Sequence, residues 1–221
     1  MIPDKRRLRL VALISGRGSN LQAILNGTCS GELPVDMCAV ISNRPDAYGL
    51  TRARQAKVPA IALDHKVFFD RAAFEAALRE RIDLYAPDLV ILAGFMRILS
   101  ADFVAHYQGR MLNIHPSLLP KFRGLNTHAR AIAAGERKHG ASVHFVTSEL
   151  DSGPVILQAQ VPVLLTDNPD TLANRVLEQE HRIYPLVIRW FVQGRIKLLN
   201  DQVLFDDQVL RVPRMLESNE N

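Results

Sequence analysis

An amide and an imidazole stand two residues apart in the segment 112–116. Residues two apart on a strand share a face, so Asn113 and His115 are predicted to point the same way. Pro116 favours an extended backbone at His115, which places both side chains at the carboxyl end of the strand. An amide donor beside an imidazole can stabilise an oxyanion, and the ring can move a proton near neutral pH. The pair is therefore a candidate catalytic site, with a buried structural histidine as the alternative.

A carboxylate, Asp151, lies in the segment 149–154, which reads as a turn between two strands. A carboxylate beside an imidazole fixes the tautomer of the ring and favours its charged form. Spacing along the chain does not by itself bring Asp151 to His115, and an ordinary turn aspartate is the alternative. Asp151 is thus a conditional third member of the candidate site.

A second candidate site is the glycine-rich turn at residues 15–20. Glycines let ligand oxygens approach the backbone, and the helix start at Gly18, Ser19 and Asn20 favours an anion, most often phosphate. A dinucleotide fingerprint would need a third glycine where Leu21 stands, and a Walker loop would need Gly-Lys-Ser/Thr, which the sequence lacks. A monophosphate site and a plain strand–helix turn are the two interpretations.

Other chemistries have little support in the sequence. Cys29 and Cys38 are nine residues apart, and His139 and His144 are five apart across a predicted helix–strand junction. Neither pair has regular metal-ligand spacing, and no Gly-x-Ser-x-Gly elbow presents a serine nucleophile. We therefore expect no metal.

Composition indicates a globular protein. The 221 residues are 48% hydrophobic and 23% charged, the net charge is +4, and aromatic residues make up 6%. So modest and scattered a charge predicts no nucleic-acid partner. No apolar window approaches the roughly 18 residues of a membrane helix, and we recognise no signal peptide. With only two cysteines, a cytoplasmic setting is expected, and a homodimer is an open possibility.

The elements that would position these groups follow from the residue pattern. Predicted strands cover residues 8–14, 37–42, 60–63, 89–93, 110–115, 141–147 and 155–163. Predicted helices begin at residue 19 and cover 46–57, 70–85, 101–107, 128–134 and 170–193. We expect Asp46 to cap its helix and Pro185 to kink or restart the last one. A terminal hairpin is predicted from strands at 196–199, 203–205 and 209–212, with Asn200-Asp201 at its first turn.

This alternation predicts an α/β fold. We expect a Rossmann-like, mostly parallel twisted sheet with helices on both faces and antiparallel strands in the C-terminal part. Such sheets bind ligands at the carboxyl ends of their strands, where both candidate sites fall. No linker or repeat interrupts the pattern, so residues 1–221 are predicted to form a single domain, with a core over 8–200 and a polar tail at about 213–221.

Taken together and in order, these motifs resemble the folate-dependent formyltransferases. The matching stretches are residues 14–24, 92–99, 112–120, 142–146, 150–154 and 179–185. The His-Pro-Ser-Leu-Leu-Pro segment with its downstream aspartate is shared throughout that family. The Gly-x-Gly-Ser-Asn turn and the Gln-Glu-His segment point to the members that act on glycinamide ribonucleotide.

The resemblance implies a reaction of purine biosynthesis. The amine of glycinamide ribonucleotide would attack the formyl carbon of 10-formyltetrahydrofolate, the co-substrate. Asn113 and protonated His115 would stabilise the tetrahedral oxyanion. Asp151 would support the charged ring and help to relay the proton of the amine.

The resemblance also implies binding residues. Gly18, Ser19 and Asn20 would hold the phosphate of the substrate, and Glu180 would hold the ribose hydroxyls. The folate contacts, largely through backbone, would map to Arg71, Met96, Arg97, Ile98, Leu99, Asn113, Thr147, Ser148, Glu149, Leu150 and Asp151. Both implied ligands are small molecules.

Three alternatives stay open at this point. They are a formyltetrahydrofolate hydrolase, a methionyl-tRNA formyltransferase relative, and a non-catalytic protein that binds a phosphate ligand on the same fold. The hydrolase usually has an additional N-terminal domain and the tRNA enzyme an additional C-terminal one. The length of this chain is therefore expected to favour the enzyme that acts on the ribonucleotide.

Overall fold

The structure, a computed structural model, describes residues 7–216. The chain divides into two compact units between Phe103 and Val104. The single domain expected for residues 1–221 stays a prediction. The end of the expected polar tail, residues 217–221, lies outside the described residues.

The first unit is built on four parallel strands. These are β1 (Leu8–Ile14), β2 (Val35–Ser42), β3 (Ala60–Ala62) and β4 (Leu89–Leu92), in the order β4-β1-β2-β3. Residues 10–14 of β1 are fully buried, as expected for a parallel strand with neighbours on both sides. Helices α1 (Ser19–Ser30), α2 (Tyr48–Gln55) and α3 (Arg71–Asp83) follow β1, β2 and β3, and a short 3-10 helix, His65–Val67, precedes α3. The predicted alternation of strands and helices is confirmed.

The start of α2 differs from the prediction. The helix begins after Ala47, and no side chain caps it. Asp46 was expected to be the cap, and this is wrong, because its carboxylate Oδ2 instead pairs with Arg44 Nη2 at 2.8 Å. At α3, by contrast, Asp70 is a genuine N-cap, and its Oδ1 accepts a hydrogen bond from Ala73 N at 2.8 Å.

The second unit contains a mixed sheet and a smaller antiparallel one. Helix α4 (Ala101–His106) spans the division between the units, and the later helices are α5 (Thr127–Ala133) and α6 (Pro169–Val192). Strands β5 (Met111–His115), β6 (Lys138–Phe145) and β7 (Val155–Pro162) are antiparallel neighbours. The smaller sheet consists of β8 (Ile196–Leu199), β9 (Gln202–Phe205) and β10 (Gln208–Val209), and β11 (Arg214–Met215) runs parallel to β7. Antiparallel pairing in the C-terminal part is confirmed.

Helix α6 runs through Pro185 without a break, so of the two expected effects, a kink or a restart, the restart is wrong and the kink stays a prediction. Its start is held by Asn168, whose side chain accepts from the amides of the first turn. Tyr184 and Val187, on either side of the proline, are fully buried. Packing of this apolar face offsets the one backbone hydrogen bond that a proline removes.

The predicted terminal hairpin is confirmed. Asn200 and Asp201 have φ angles of 48° and 59°, and positive values at both positions are what a type I′ turn between β8 and β9 requires. Strand β11 was not predicted, and it lies within the segment expected to be a polar tail. Among residues 7–216, no helix is long and apolar enough to cross a membrane.

Candidate active site

Strand β5 and the turn after β6 bring the three predicted catalytic residues together. Asp151 Oδ2 lies 3.4 Å from His115 Nδ1, and Asp151 Oδ1 lies 3.5 Å from Asn113 Nδ2. The side chains of His115 and Asp151 are only 7% and 8% exposed. The convergence of Asn113, His115 and Asp151 that the sequence left conditional is therefore observed.

A glycine places Asp151 beside β5. A Cβ at Gly153 would lie 1.8 Å from the carbonyl oxygen of Phe145, the last residue of β6, so only glycine allows this approach of two backbones. Pro154 then accepts a hydrogen bond from Phe145 N at 3.1 Å. Asp151 itself has a left-handed φ of 49°. The tight return of the chain turns the Asp151 carboxylate toward the end of β5.

Both ring nitrogens of His115 face acceptors. Nε2 lies 3.0 Å from the carbonyl oxygen of Phe122, and Nδ1 faces Asp151. The carboxylate also accepts a hydrogen bond from Gly124 N at 2.9 Å. Two acceptors satisfy both N–H groups of a protonated imidazole, which is the form that can donate to a developing oxyanion.

His144 completes this cluster, a place that its spacing along the chain does not predict. Its Nδ1 lies 2.8 Å from the carbonyl oxygen of Phe145, so Nδ1 carries the proton, and Nε2 accepts from Asn113 Nδ2 at 3.1 Å. Burial lowers the pKa of His144 to about 4, so the ring is neutral at pH 7. The register of β5 and β6 places His144 directly opposite Asn113, and spacing along the chain does not reveal that register.

Two further histidines interact electrostatically with His115. Burial lowers the pKa of His139 to about 4, and it also lowers the pKa of His128. Their rings stack edge-on with centroids 5.2 Å apart. Because His139 and His128 are held toward their neutral forms, they add little positive charge beside His115 at neutral pH.

An open groove reaches Asp151 within the second unit. Its volume is about 540 Å³, and its walls include Arg123, Ser152, Pro154 and the hairpin residue Val203. Solvent can approach the carboxylate from this side.

In the first unit, the glycine-rich turn leads directly into α1. Gly18 is the N-cap, with a φ of 70° and no side-chain cap. Its missing Cβ allows close contact with α2, since a Cβ there would lie 2.8 Å from Gly49 Cα. Gly49 N donates to Gly16 O at 3.0 Å, and Arg52 Nε donates to Arg17 O at 2.9 Å. The turn is thus held against α2, and no side chain caps the start of α1.

The predicted folate residues are divided between the two units. In the first, Met96 and Ile98 are 67% and 60% exposed, whereas Leu99 is buried. Arg71, on the first turn of α3, donates from Nε to Glu75 Oε1 at 2.8 Å. Arg97 is half-buried. These residues leave apolar surface available to a ligand.

In the second unit, the loop 147–150 is mostly exposed, with Leu150 at 48%. Arg123 Nη1 lies 3.2 Å from Glu149 Oε1 in this loop. Glu180, the predicted ribose ligand, is buried on α6. Among the described residues, no group of three or more His, Cys, Asp or Glu side chains could hold a metal ion.

Comparison with known proteins gives a consistent result. The profile of the formyl transferase family matches residues 8–188. The chain is 54% identical over 203 residues to phosphoribosylglycinamide formyltransferase of Escherichia coli strain K12, covering 92% of this chain and 96% of that protein. The solved structure of phosphoribosylglycinamide formyltransferase from Coxiella burnetii has a TM-score of 0.92 at 52% identity, over 96% of this chain and 100% of that one. Glycinamide ribonucleotide transformylase 1 from Symbiobacterium toebii has a TM-score of 0.88 at 48% identity, over 91% and 95% of the two chains.

Proposed function

The chain belongs to the formyl transferase family, and we propose that it transfers the formyl group of 10-formyltetrahydrofolate to the amine of N1-(5-phospho-D-ribosyl)glycinamide. The products are the N2-formyl ribonucleotide and tetrahydrofolate, in a step of purine biosynthesis. Identity of 54% to an enzyme named for this reaction supports it over the hydrolase and tRNA alternatives. The single observation that carries the mechanism is the contact of Asp151 with both His115 and Asn113.

The chemistry needs a stabilised oxyanion and two proton movements. The amine nitrogen attacks the formyl carbon, and the carbonyl electron pair moves onto oxygen. When the tetrahedral species collapses, the bond from the formyl carbon to the folate N10 breaks, N10 gains a proton, and the attacking nitrogen loses one. Protonated His115 donates to the oxyanion from Nε2, in place of its present bond to the Phe122 carbonyl. Asp151 stabilises the charged ring and helps to relay the proton that the amine loses, through water or directly.

Asn113 is the second donor to the oxyanion. One proton of its amide is held by His144 Nε2 at 3.1 Å, and the other faces Asp151 Oδ1 at the longer distance of 3.5 Å. The longer contact is the weaker one, so this second proton is the one that turns to the oxyanion. Neutral His144 fixes which end of the amide is the donor.

We assign the substrate contacts from the same resemblance. The uncapped start of α1 at Gly18, Ser19 and Asn20 binds the phosphate, and Glu180 binds the ribose hydroxyls. The folate contacts are assigned to Arg71 and the 96–99 segment of the first unit, and to the 147–151 loop of the second. The two free cysteines, Cys29 and Cys38, suit the cytoplasmic location that we propose.

A two-substrate assay tests this function. Purified protein is mixed with 10-formyltetrahydrofolate, with and without glycinamide ribonucleotide, and loss of the formyl group is followed. We expect loss only when both are present, with one formyl ribonucleotide formed for each tetrahydrofolate. Loss without the ribonucleotide would identify a hydrolase, and no loss under either condition would favour a non-catalytic binding protein.

A further inference from the structure

A serine at the base of the glycine-rich turn is bonded to the segment that we assign to folate. We propose that Ser15, oriented by Asn43, is a positioning residue that holds the 96–99 segment in its folate-binding conformation. This inference rests on the proposed function and adds a residue that contacts neither substrate. All of its parts lie in the first unit.

Ser15 holds the chain after β4 at two points. Its backbone N donates to Gly94 O at 3.0 Å, and its side-chain Oγ accepts from Met96 N at 2.7 Å. Gly94 has a φ of 77°, the left-handed conformation that reverses the chain between these two bonds. The first residue of the 96–99 segment is therefore tied to the end of β1.

Asn43 sets the direction of the Ser15 hydroxyl. Ser15 Oγ donates its only proton to Asn43 Oδ1 at 2.5 Å, which leaves a lone pair of Oγ for the Met96 amide. Ser15 and Asn43 are 4% and 3% exposed, so water does not substitute readily for either partner. A buried hydrogen bond whose partner is deleted leaves an unsatisfied group, which is more costly than losing an exposed bond.

The Asn43 side chain is itself fixed. His65 Nδ1 lies 3.2 Å from Asn43 Nδ2 and 2.9 Å from the Asn43 carbonyl oxygen. One ring nitrogen serves only one of these contacts at a time, since it accepts from Nδ2 in one tautomer and donates to the carbonyl in the other. In the tautomer that accepts, Nδ2 is bonded to His65 and Oδ1 to Ser15, which fixes the amide. The chain of contacts thus runs from the residue that starts the 3-10 helix, through Asn43 and Ser15, to Met96.

This arrangement orders backbone that a ligand would use. The Met96 amide is occupied by Ser15, whereas the amides of Arg97, Ile98 and Leu99 have no acceptor within residues 7–216. A segment ordered before binding gives up less conformational entropy when the ligand arrives. Loss of the Ser15 hydroxyl is therefore expected to weaken folate binding and to leave the chemistry of Asn113, His115 and Asp151 unchanged.

The test compares two buried serines. Ser15→Ala removes the tie to Met96. Ser42→Ala is the matched control, since Ser42 is fully buried and its hydroxyl bonds the backbone of Arg44 at 2.9 and 3.1 Å. For Ser15→Ala we expect KM for 10-formyltetrahydrofolate and Kd for tetrahydrofolate to rise about tenfold, the effect of one hydrogen bond. The kcat value and Kd for the ribonucleotide should stay within about twofold, and Ser42→Ala should leave the folate constants at wild-type values.

Asn43→Ala supplies a second test. If Asn43 acts through Ser15, the double variant binds tetrahydrofolate as weakly as Ser15→Ala alone, because the coupled effects do not add. An unchanged folate Kd in Ser15→Ala, or an equal rise for both ligands in proportion to a fall in Tm, would overturn the inference. Failure of the proposed function looks different, because the wild-type protein would then neither bind tetrahydrofolate nor transfer the formyl group.

Discussion

Replacing Gly153 with alanine should disable the enzyme without touching a catalytic group. The added Cβ would lie 1.8 Å from the Phe145 carbonyl oxygen, whereas real Cβ contacts are essentially never under 3.0 Å. The turn must therefore retreat by about 1 Å or more, and Asp151 moves with it. That shift breaks the 3.4 Å contact from Asp151 to His115 Nδ1. A misplacement of this size costs on the order of 100-fold in rate, so we expect kcat to fall at least about 100-fold.

The assay is steady-state formyl transfer with both substrates saturating, alongside Tm and the ribonucleotide Kd. Gly27→Ala is the matched control, because Gly27 lies within α1 and its Cβ would lie 3.4 Å from the Leu33 Cβ after the helix, an ordinary van der Waals distance. We expect Gly27→Ala to keep wild-type kcat. Gly153→Ala should keep the wild-type ribonucleotide Kd, since the glycine-rich turn is unchanged.

A double variant distinguishes displacement of Asp151 from a general disruption of the folded structure. Asp151→Asn removes the charge on an intact backbone, and Gly153→Ala added to it should reduce kcat little further, because both changes remove the same interaction. Fully additive losses, or a kcat within about threefold of wild type for Gly153→Ala, would refute the reasoning.

Three further predictions concern pH, the glycine-rich turn and His144. Burial lowers the pKa of His139 and His144 to about 4 in the folded protein, so between about pH 4 and 6.5 the unfolded chain binds more protons. The stabilisation contributed by these two histidines should thus be complete above about pH 6.5. Below that pH, the free energy of unfolding should fall by about 1.4 kcal/mol per pH unit for each histidine. Urea denaturation at pH 5 and at pH 7 measures the difference. In Gly18→Ala the new Cβ would lie 2.8 Å from Gly49 Cα, at a residue whose φ is 70°. Calorimetry should show the ribonucleotide Kd rising about tenfold and the tetrahydrofolate Kd unchanged. Equal changes in the two Kd values would contradict a local phosphate site. His144→Phe removes the acceptor that orients Asn113, and kcat should fall about tenfold; an unchanged kcat would show that the amide needs no such partner.

Residue patterns predicted the strands and turns whose conformation depends mainly on residues close by in the sequence. Strand β1 is apolar at every position except Arg9, and the structure has it over the predicted residues 8–14. The Asn200-Asp201 turn was found because these residue types tolerate positive φ. The predicted cap of α2 was wrong because the Asp46 carboxylate pairs with Arg44 instead. The residue pattern of a helix start does not reveal such a competing partner. Pro185 failed to break α6 because tertiary burial of Tyr184 outweighed its local effect.

In the candidate site, too, some contacts follow from residue patterns and others depend on tertiary structure. Alternation on a strand placed Asn113 and His115 together without any tertiary information. The sequence alone did not show that Asp151 lies beside His115. That contact depends on the tight turn at Gly153, where the backbone passes close to the Phe145 carbonyl. His144 was missed because its role comes from strand register and from burial, and neither can be read from spacing along the chain.

The most direct test of the central claim is the turnover of His115→Ala. If His115 is the group that donates to the oxyanion, kcat for formyl transfer should fall by about 10²–10⁴-fold, the usual contribution of one acid–base residue. The Kd for glycinamide ribonucleotide, measured by calorimetry on the same preparation, should stay within about twofold of wild type. A His115→Ala variant that turns over at the wild-type rate would contradict the account.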